Sequence, residues 1–449
     1  MSNSKVSAEH AAKRRKQLIK YVLPSVLSML SVFLYTIVDG IFVGRGVGQD
    51  GLGAVNLAFP FVMIFTAVVM LVSIGGLTIT AIRKGRGDYA GMNQSFMHSI
   101  TAVVIISVIF MLLGTVFVEP MARLMGANET FFDMVCEYIF WYAVFMVPCG
   151  LFTGLSGAVR NDDGPVLVSA ATIISTALNI VGDWVFVFPL HMGLKGAAIA
   201  TGLAQSVGLL VVLTHFFRKQ GVLRFSKFRV DWSLYRLIFV RGLPECVSQF
   251  NPPIVTILVN YVIIRYLNDM AVNTFAVIGY VGAFSVAVFC GVAEGLQPLF
   301  GNCYGEKNTD DLIWYRRVGI IISFLGSAVI YVLLLFFGEP IYIVYGVDAE
   351  TVRYTIECMP KYALGFIVQS FTTIISSYLY STTRSAQALT INVLRSLIVD
   401  TVVILVFPKL LGPEIIWYTF PIYEFIVLVI AVIIMVGADR KGIIQENAE

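Results

Sequence analysis

Tyr21-Val22-Leu23-Pro24-Ser25-Val26-Leu27-Ser28-Met29-Leu30-Ser31-Val32-Phe33-Leu34-Tyr35-Thr36-Ile37-Val38-Asp39-Gly40-Ile41-Phe42-Val43 contains a single charged side chain, Asp39. A helix crossing the hydrocarbon core of a bilayer needs about 20 mostly apolar residues, so this run reads as a transmembrane helix with a proline near one end and a carboxylate near the other. Comparable runs follow. With the first at 18–43, they fall at 53–80, 95–118, 133–158, 165–188, 195–217, 235–264, 272–299, 316–337, 356–380, 386–408 and 415–437, which makes twelve spans. Composition agrees: 58% of the 449 residues are hydrophobic, only 13% are charged, and the mean hydropathy is +0.83. A soluble domain carries about 25% charged residues and cannot hide this much apolar surface. The fold class expected is an all-α integral membrane protein.

The net charge of +3 is too small to suggest nucleic acid as a partner. The six cysteines show no C-x-x-C, so neither a disulfide framework nor a zinc site is read. Residues 1–17 are polar and the first apolar run is long enough to span, so no cleavable signal peptide is expected. Lys and Arg set the orientation. With the N-terminus in the cytoplasm, only Arg45, Arg123, Lys195, Arg265, Arg353, Lys361 and Lys409 of the 31 basic residues fall on the other side. Both termini are therefore expected to be cytoplasmic, in a multi-pass protein of the inner membrane.

The two halves align on each other with one constant shift. Leu23-Pro24 falls on Leu243-Pro244, Gly85 on Gly305, Glu119-Pro120 on Glu339-Pro340, Gly126 on Gly346, Glu137 on Glu357 and Tyr142 on Tyr362. Near the end the shift shortens slightly: Phe188-Pro189 matches Phe407-Pro408, and Gly193 matches Gly412. Each copy has an even number of spans, so the two insert the same way round, as parallel repeats about an axis along the membrane normal. The organisation expected is a cytoplasmic tail (1–17), an N-lobe of six spans (18–217), a cytoplasmic linker (218–234), a C-lobe of six spans (235–437) and a second tail (438–449). The linker, with Arg218, Lys219, Arg224, Lys227 and Arg229 against Asp231, reads as a solvated segment beside anionic lipid.

An ionisable side chain at the bilayer centre costs about 2.5–3.5 kcal/mol on insertion scales, which singles out Asp39, Asp183, Glu245, Glu294, Asp400 and Glu424. Asn179 and Asp183 are four apart and share a helix face. Thr201 offers a hydroxyl from the sixth span. Two carboxylates, an amide oxygen and a hydroxyl form an all-oxygen set suited to a hard cation. Two close carboxylates also resist double ionisation, so the pair could hold a proton. The alternative is that these acids only hydrogen-bond neighbouring helices. Asp39 falls on Val259 in the second copy, so such a site belongs to the N-lobe alone. Asp400 reads as a partner for Arg395, and Glu424 as interhelical packing glue. Glu245, and Glu294 with Gln297 in Gly291-Val292-Ala293-Glu294-Gly295-Leu296-Gln297-Pro298, are candidates to line a cleft, or else to cap and bond helices. Pro24 removes one backbone bond about four turns before Asp39, which allows either a plain kink or a bend linked to the carboxylate.

These stretches resemble the multidrug and toxic compound extrusion (MATE) transporters. The likeness runs through Val38-Asp39-Gly40-Ile41-Phe42-Val43-Gly44-Arg45, Gly53-Ala54-Val55, Asn179-Ile180-Val181-Gly182-Asp183, Gly193-Leu194-Lys195-Gly196-Ala197-Ala198-Ile199-Ala200-Thr201 and Gly295-Leu296-Gln297-Pro298-Leu299-Phe300-Gly301-Asn302-Cys303-Tyr304-Gly305. The resemblance implies two six-helix lobes in a V and efflux of bulky, often cationic amphiphiles by a monomer, with no cofactor beyond a coupling Na⁺ or H⁺. In the N-lobe-coupled (DinF/MepA-like) branch the coupling ligands match Asp39, Asn179, Asp183 and Thr201, and the bending proline matches Pro24. Another branch uses acids of the seventh and tenth helices. Here those helices offer Gln249, Asn251 and Gln369 instead, as further candidates to line the cleft, so a C-lobe cation site is not expected. A flippase for a lipid-linked or amphiphilic substrate is the nearest alternative, but it would favour a basic cavity, and chiefly Arg395 lies deep. An enzyme is not expected: the four histidines are dispersed, and no H-E-x-x-H, G-x-S-x-G or P-loop occurs. No re-entrant filter segment suggests a channel.

Overall fold

A computed structural model describes residues 2–127, 129, 131–218, 221–344, 349–440 and 442. The expected C-terminal tail lies mostly outside these residues, as do Gly346 of the repeat and Lys219 of the linker. Sixteen α-helices occupy the described chain: α1 (Ser2–Gly46), α2 (Gln49–Gly85), α3 (Tyr89–Thr115), α4 (Val118–Leu124), α5 (Phe132–Val144), α6 (Met146–Asn161), α7 (Pro165–Val187), α8 (Gly193–Arg218), α9 (Trp232–Gln249), α10 (Asn251–Tyr266), α11 (Asp269–Gly305), α12 (Thr309–Val344), α13 (Ala349–Ser381), α14 (Ser385–Val393), α15 (Asp400–Leu411) and α16 (Ile416–Arg440). A π-helical turn, Leu394–Val399, joins α14 to α15. Among the described residues eleven helical segments are long and apolar enough to cross a membrane, or twelve if the bent pair α5–α6 is counted as one span.

That pair is bent by 52° at Phe145, so the fourth expected span is broken. The seventh, 235–264, is interrupted at Phe250, where Pro252 and Pro253 open α10. Proline suits the first turn of a helix, whose N–H groups have no intrahelical partner. Pro24 and Pro244, in contrast, lie inside α1 and α9 without ending them. Residues 2–17 of the expected polar tail are helical and continuous with the first span.

The duplication is visible in the backbone. Positive φ angles occur at Gly87 (75°) and Lys307 (57°), and at Asp163 and Thr383 (both 67°). Each pair is related by the same shift that places Pro24 on Pro244. Positive angles recur at Gly193 (59°) and Gly412 (98°), the turns before the last helix of each copy. Glycine reaches this region without a Cβ penalty, which accounts for its retention in both turns.

The chain packs as two compact units. One is Leu27–Cys246; the other combines Met1–Val26 with Val247–Glu449. Their borders obey the repeat as well, falling just beyond Pro24 in one copy and just beyond Pro244 in the other, so the start of each copy packs with the other copy's helices. In the first unit, Phe61, Phe65, Val103, Ile139 and Met146 centre the main core. In the second, Ile278, Met359, Tyr362, Ile404 and Trp417 do so.

The segment after α8 keeps Lys227 and Arg229 exposed, as its charges lead one to expect, but its backbone is not free. It is strapped to the first unit. The Asp162 carboxylate accepts the backbone N–H groups of Val222 (2.9 Å) and Leu223 (3.0 Å) and is bonded by His215 Nε2 (2.9 Å). Arg224 N donates to Asn93 Oδ1 at 2.7 Å, and Asp231 N donates to His98 Nε2 at 3.0 Å. His98 Nδ1 lies 2.8 Å from the Gln94 carbonyl. A carbonyl can only accept, so Nδ1 carries the proton and Nε2 is the acceptor. Leu223 is completely buried.

Candidate functional site

Asp39 on α1, Asn179 and Asp183 on α7, and Thr201 on α8 all belong to the first unit, joined by two contacts and one helical spacing. Asn179 Nδ2 donates to Thr201 Oγ1 at 3.1 Å. Asp39 and Asp183 lie within hydrogen-bonding reach of each other. Asn179 and Asp183 are one turn apart on the same helix. Asn179 and Asp183 are buried, while Asp39 and Thr201 are half-buried.

The sequence around the site explains why α7 and α8 can meet so closely. A Cβ added at Gly182 would lie 3.0 Å from the Ala200 side chain, and one at Gly196 would lie 2.9 Å from Phe186 Cβ. Small residues on the facing surfaces let the two backbones approach, and Thr201, next to Ala200, thereby reaches Asn179.

What remains unbonded defines the chemistry. Both Asp183 oxygens, Asp39 Oδ1 and Asn179 Oδ1 are buried with no hydrogen-bond partner. Two ionised carboxylates offer each other only acceptors. A buried acceptor left unpaired costs about 1–3 kcal/mol, and more when charged. Thr201 Oγ1, which accepts from Asn179, keeps a second lone pair. Four buried oxygens of the cluster thus stand as acceptors to which no hydrogen is donated. A proton shared between the carboxyls, or a hard monovalent cation among the four residues, would satisfy it. Among the described residues no ion pair reaches Asp39 or Asp183.

Two aromatic residues at the site were not singled out from sequence. Tyr35 and Tyr138 lie close enough to Asp39 and Asp183 to feel their charge. Tyr35 is one turn before Asp39 on α1, a spacing legible in advance. Tyr138 comes from α5, where its ring stacks on Tyr142 with centroids 6.0 Å apart, and only the tertiary fold brings it in.

The candidate cleft residues do not join this cluster. Glu245 lies in the first unit; Gln249, Asn251, Glu294, Gln297 and Gln369 lie in the second. Gln297 Nε2 donates to the Tyr380 hydroxyl at 2.6 Å, and Asn251 Nδ2 to Asp400 Oδ2 at 3.4 Å. Gln369 Oε1 is buried without a partner. The sequence reading of Asp400 as the partner of Arg395 is corrected. Arg395 Nε donates to Glu424 Oε1 at 2.7 Å, and Thr372 Oγ1 to Glu424 Oε2 at 3.1 Å. Glu424 is fully buried, and a guanidinium compensates a carboxylate there better than hydroxyls alone. Asp400 instead accepts from the backbone N–H of Thr401 at 2.7 Å. Glu424 does tie helices together.

Comparison with known proteins bears on the family and the fold. The MatE family model matches the chain twice, over residues 24–185 and 244–406, with the two starts again at Pro24 and Pro244. A FAD transporter of Shewanella oneidensis is 22% identical over 353 residues, 75% of each chain. The multidrug export protein MepA of Staphylococcus haemolyticus is 23% identical over 344 residues, also 75% of each. The fold matches a MOP superfamily transporter from Pyrococcus furiosus with a TM-score of 0.87 at 21% identity, covering 95% of this chain and 96% of that one. It matches equally the outward-facing conformation of a multidrug resistance MATE family transporter, with a TM-score of 0.87 at 22% identity and the same coverage. The chain belongs to the MatE family. It is a multi-pass membrane transporter of the all-α MATE fold, not an enzyme.

Proposed function

We propose that the protein exports organic compounds by alternating access, driven by a Na⁺ or H⁺ gradient through Asp39, Asn179, Asp183 and Thr201, as in the N-lobe-coupled branch of the family. The observation that carries this reading is the set of buried, unpartnered oxygens on α1 and α7. An ion or proton there offsets a desolvation cost that the empty, doubly ionised site cannot. A ligand shifts a conformational equilibrium only by binding its states differently. Asp39 rides on α1 and Asp183 on α7, so any movement of α1 against α7 changes the separation of the carboxyls and with it the affinity for the ion. Pro24, where α1 lacks one backbone bond, is the place for such a bend.

The cargo proposed is a bulky amphiphile, often cationic, moved out of the cytoplasm across the inner membrane with both termini inside. Support comes from the MepA relative, named for multidrug export. Dye efflux from proteoliposomes, with Na⁺ and pH gradients imposed separately, tests the reading. Efflux should fall when one gradient is removed and stay when the other is. Efflux unchanged after both are removed would refute a coupled carrier.

A further inference from the structure

The strap between α8 and α9 has two faces. One is fixed to the first unit through Asp162, Asn93 and His98, with Leu223 buried and the Phe228 ring 4.7 Å from His98. The Phe225 ring also packs on this unit, 4.6 Å from Phe216 and 5.5 Å from Phe96. The other face exposes Val230 and Trp232 (78%), together with Lys227 and Arg229. Arg236, one turn after Trp232 on α9, is exposed as well. Among the described residues these three cations form no ion pair. The nearby carboxylate of Asp231 is turned to the helix, where it accepts from Ser233 N (2.9 Å) and Ser233 Oγ (2.6 Å), so it does not cancel them. Trp232 opens a helix long and apolar enough to span, and that helix exposes Phe239 and Val240 two turns further on. The strap therefore borders the end of a helix long and apolar enough to span.

Aromatic residues favour the membrane–water interface, and basic residues there attract anionic lipid. We propose that the outer face of residues 222–236 is a docking surface for anionic phospholipid headgroups, with Lys227, Arg229 and Arg236 as the charge partners and Trp232 seated among the acyl-chain ends. The backbone bonds to the first unit hold this face in place.

The full-length protein in nanodiscs tests this through the part of its tryptophan fluorescence that disappears in Trp232→Phe. Brominated phosphatidylglycerol should quench that part more strongly than brominated phosphatidylcholine at equal mole fraction. Each of Lys227→Gln, Arg229→Gln and Arg236→Gln should lower the preference about fivefold, the equivalent of about 1 kcal/mol, and all three together should abolish it. Absence of Trp232 quenching by either lipid, or equal quenching by both, overturns the proposal. So does a phosphatidylglycerol preference that survives the triple substitution. All four positions are exposed, so the variants are not expected to disturb folding.

Discussion

Asn179 gives its amide nitrogen to Thr201 at 3.1 Å and leaves its amide oxygen buried without a donor. The bond fixes which end of the amide faces Thr201, so in the proposed coupling site it acts through orientation. Thr201→Val removes the acceptor and should weaken the dependence of efflux on the driving ion by about fivefold, the equivalent of about 1 kcal/mol for one hydrogen bond. Thr201→Ser should restore it. Efflux titrated against Na⁺ or pH is the measurement, and equal dependence in Thr201→Val and the parent would disprove the role.

The close approach of α7 and α8 makes a second prediction. Gly182→Val places branched carbon where even a Cβ would lie 3.0 Å from Ala200. The helices must part, and the Asn179–Thr201 bond should be lost. Overpacking of this kind costs about 1–3 kcal/mol. Efflux should become less sensitive to the gradient while the protein still reaches the membrane, which efflux and expression assays on the same cells would show.

The Arg395–Glu424 pair is structural on this account. Glu424→Gln leaves a guanidinium in apolar surroundings without its counter-charge and should destabilise the protein by about 3–5 kcal/mol. Arg395→Met combined with Glu424→Met should recover much of that loss. Thermal unfolding of the purified variants in one detergent decides between this and a transport role. A single variant as stable as the parent would contradict it.

Asp231 caps α9 from outside the spanning segment. The Ser233 hydroxyl, and then the backbone N–H groups of Ser233 and Leu234, hold its carboxyl below the usual carboxylate range, against a smaller opposing effect of desolvation. A depressed folded-state value means the stabilisation is present above the ordinary carboxylate range and is lost as pH falls through the folded value. Asp231→Ala should therefore lower the melting temperature at neutral pH, and the gap should close in acid. A gap that persists unchanged at low pH would count against the charge as its source.

The strap should also govern access to protease. Asp162→Asn replaces one acceptor oxygen by a donor and cannot keep its bonds to Val222, Leu223 and His215 together. Trypsin should then cut faster at Lys227 and Arg229. Unchanged cleavage would show that those bonds do not hold the segment.

Much of the first-unit site was legible in advance, because carboxylates are expensive in oil and because i, i+4 spacing fixes a helix face. Tyr35 could have been read by the same rule. Tyr138 could not, since nothing local ties α5 to Asp39. Arg395 and Glu424 stand on different helices, far apart in the chain, and no spacing rule reaches from one to the other. The π-turn at Leu394–Val399 has no proline or glycine to announce it. The break at Phe250 did have a signal, Asn251-Pro252-Pro253, masked by the apolar run around it. The strap escapes a reading of composition because its partners, backbone N–H groups bonded to Asn93, His98 and Asp162, leave no mark in the segment's own residues.

Uphill efflux and substrate exchange, measured side by side in proteoliposomes carrying Asp39→Asn or Asp183→Asn, test the coupling assignment most directly. Each variant should lose gradient-driven accumulation and retain exchange of substrate across the membrane in the absence of a gradient. Accumulation at the parent rate in both variants would contradict it.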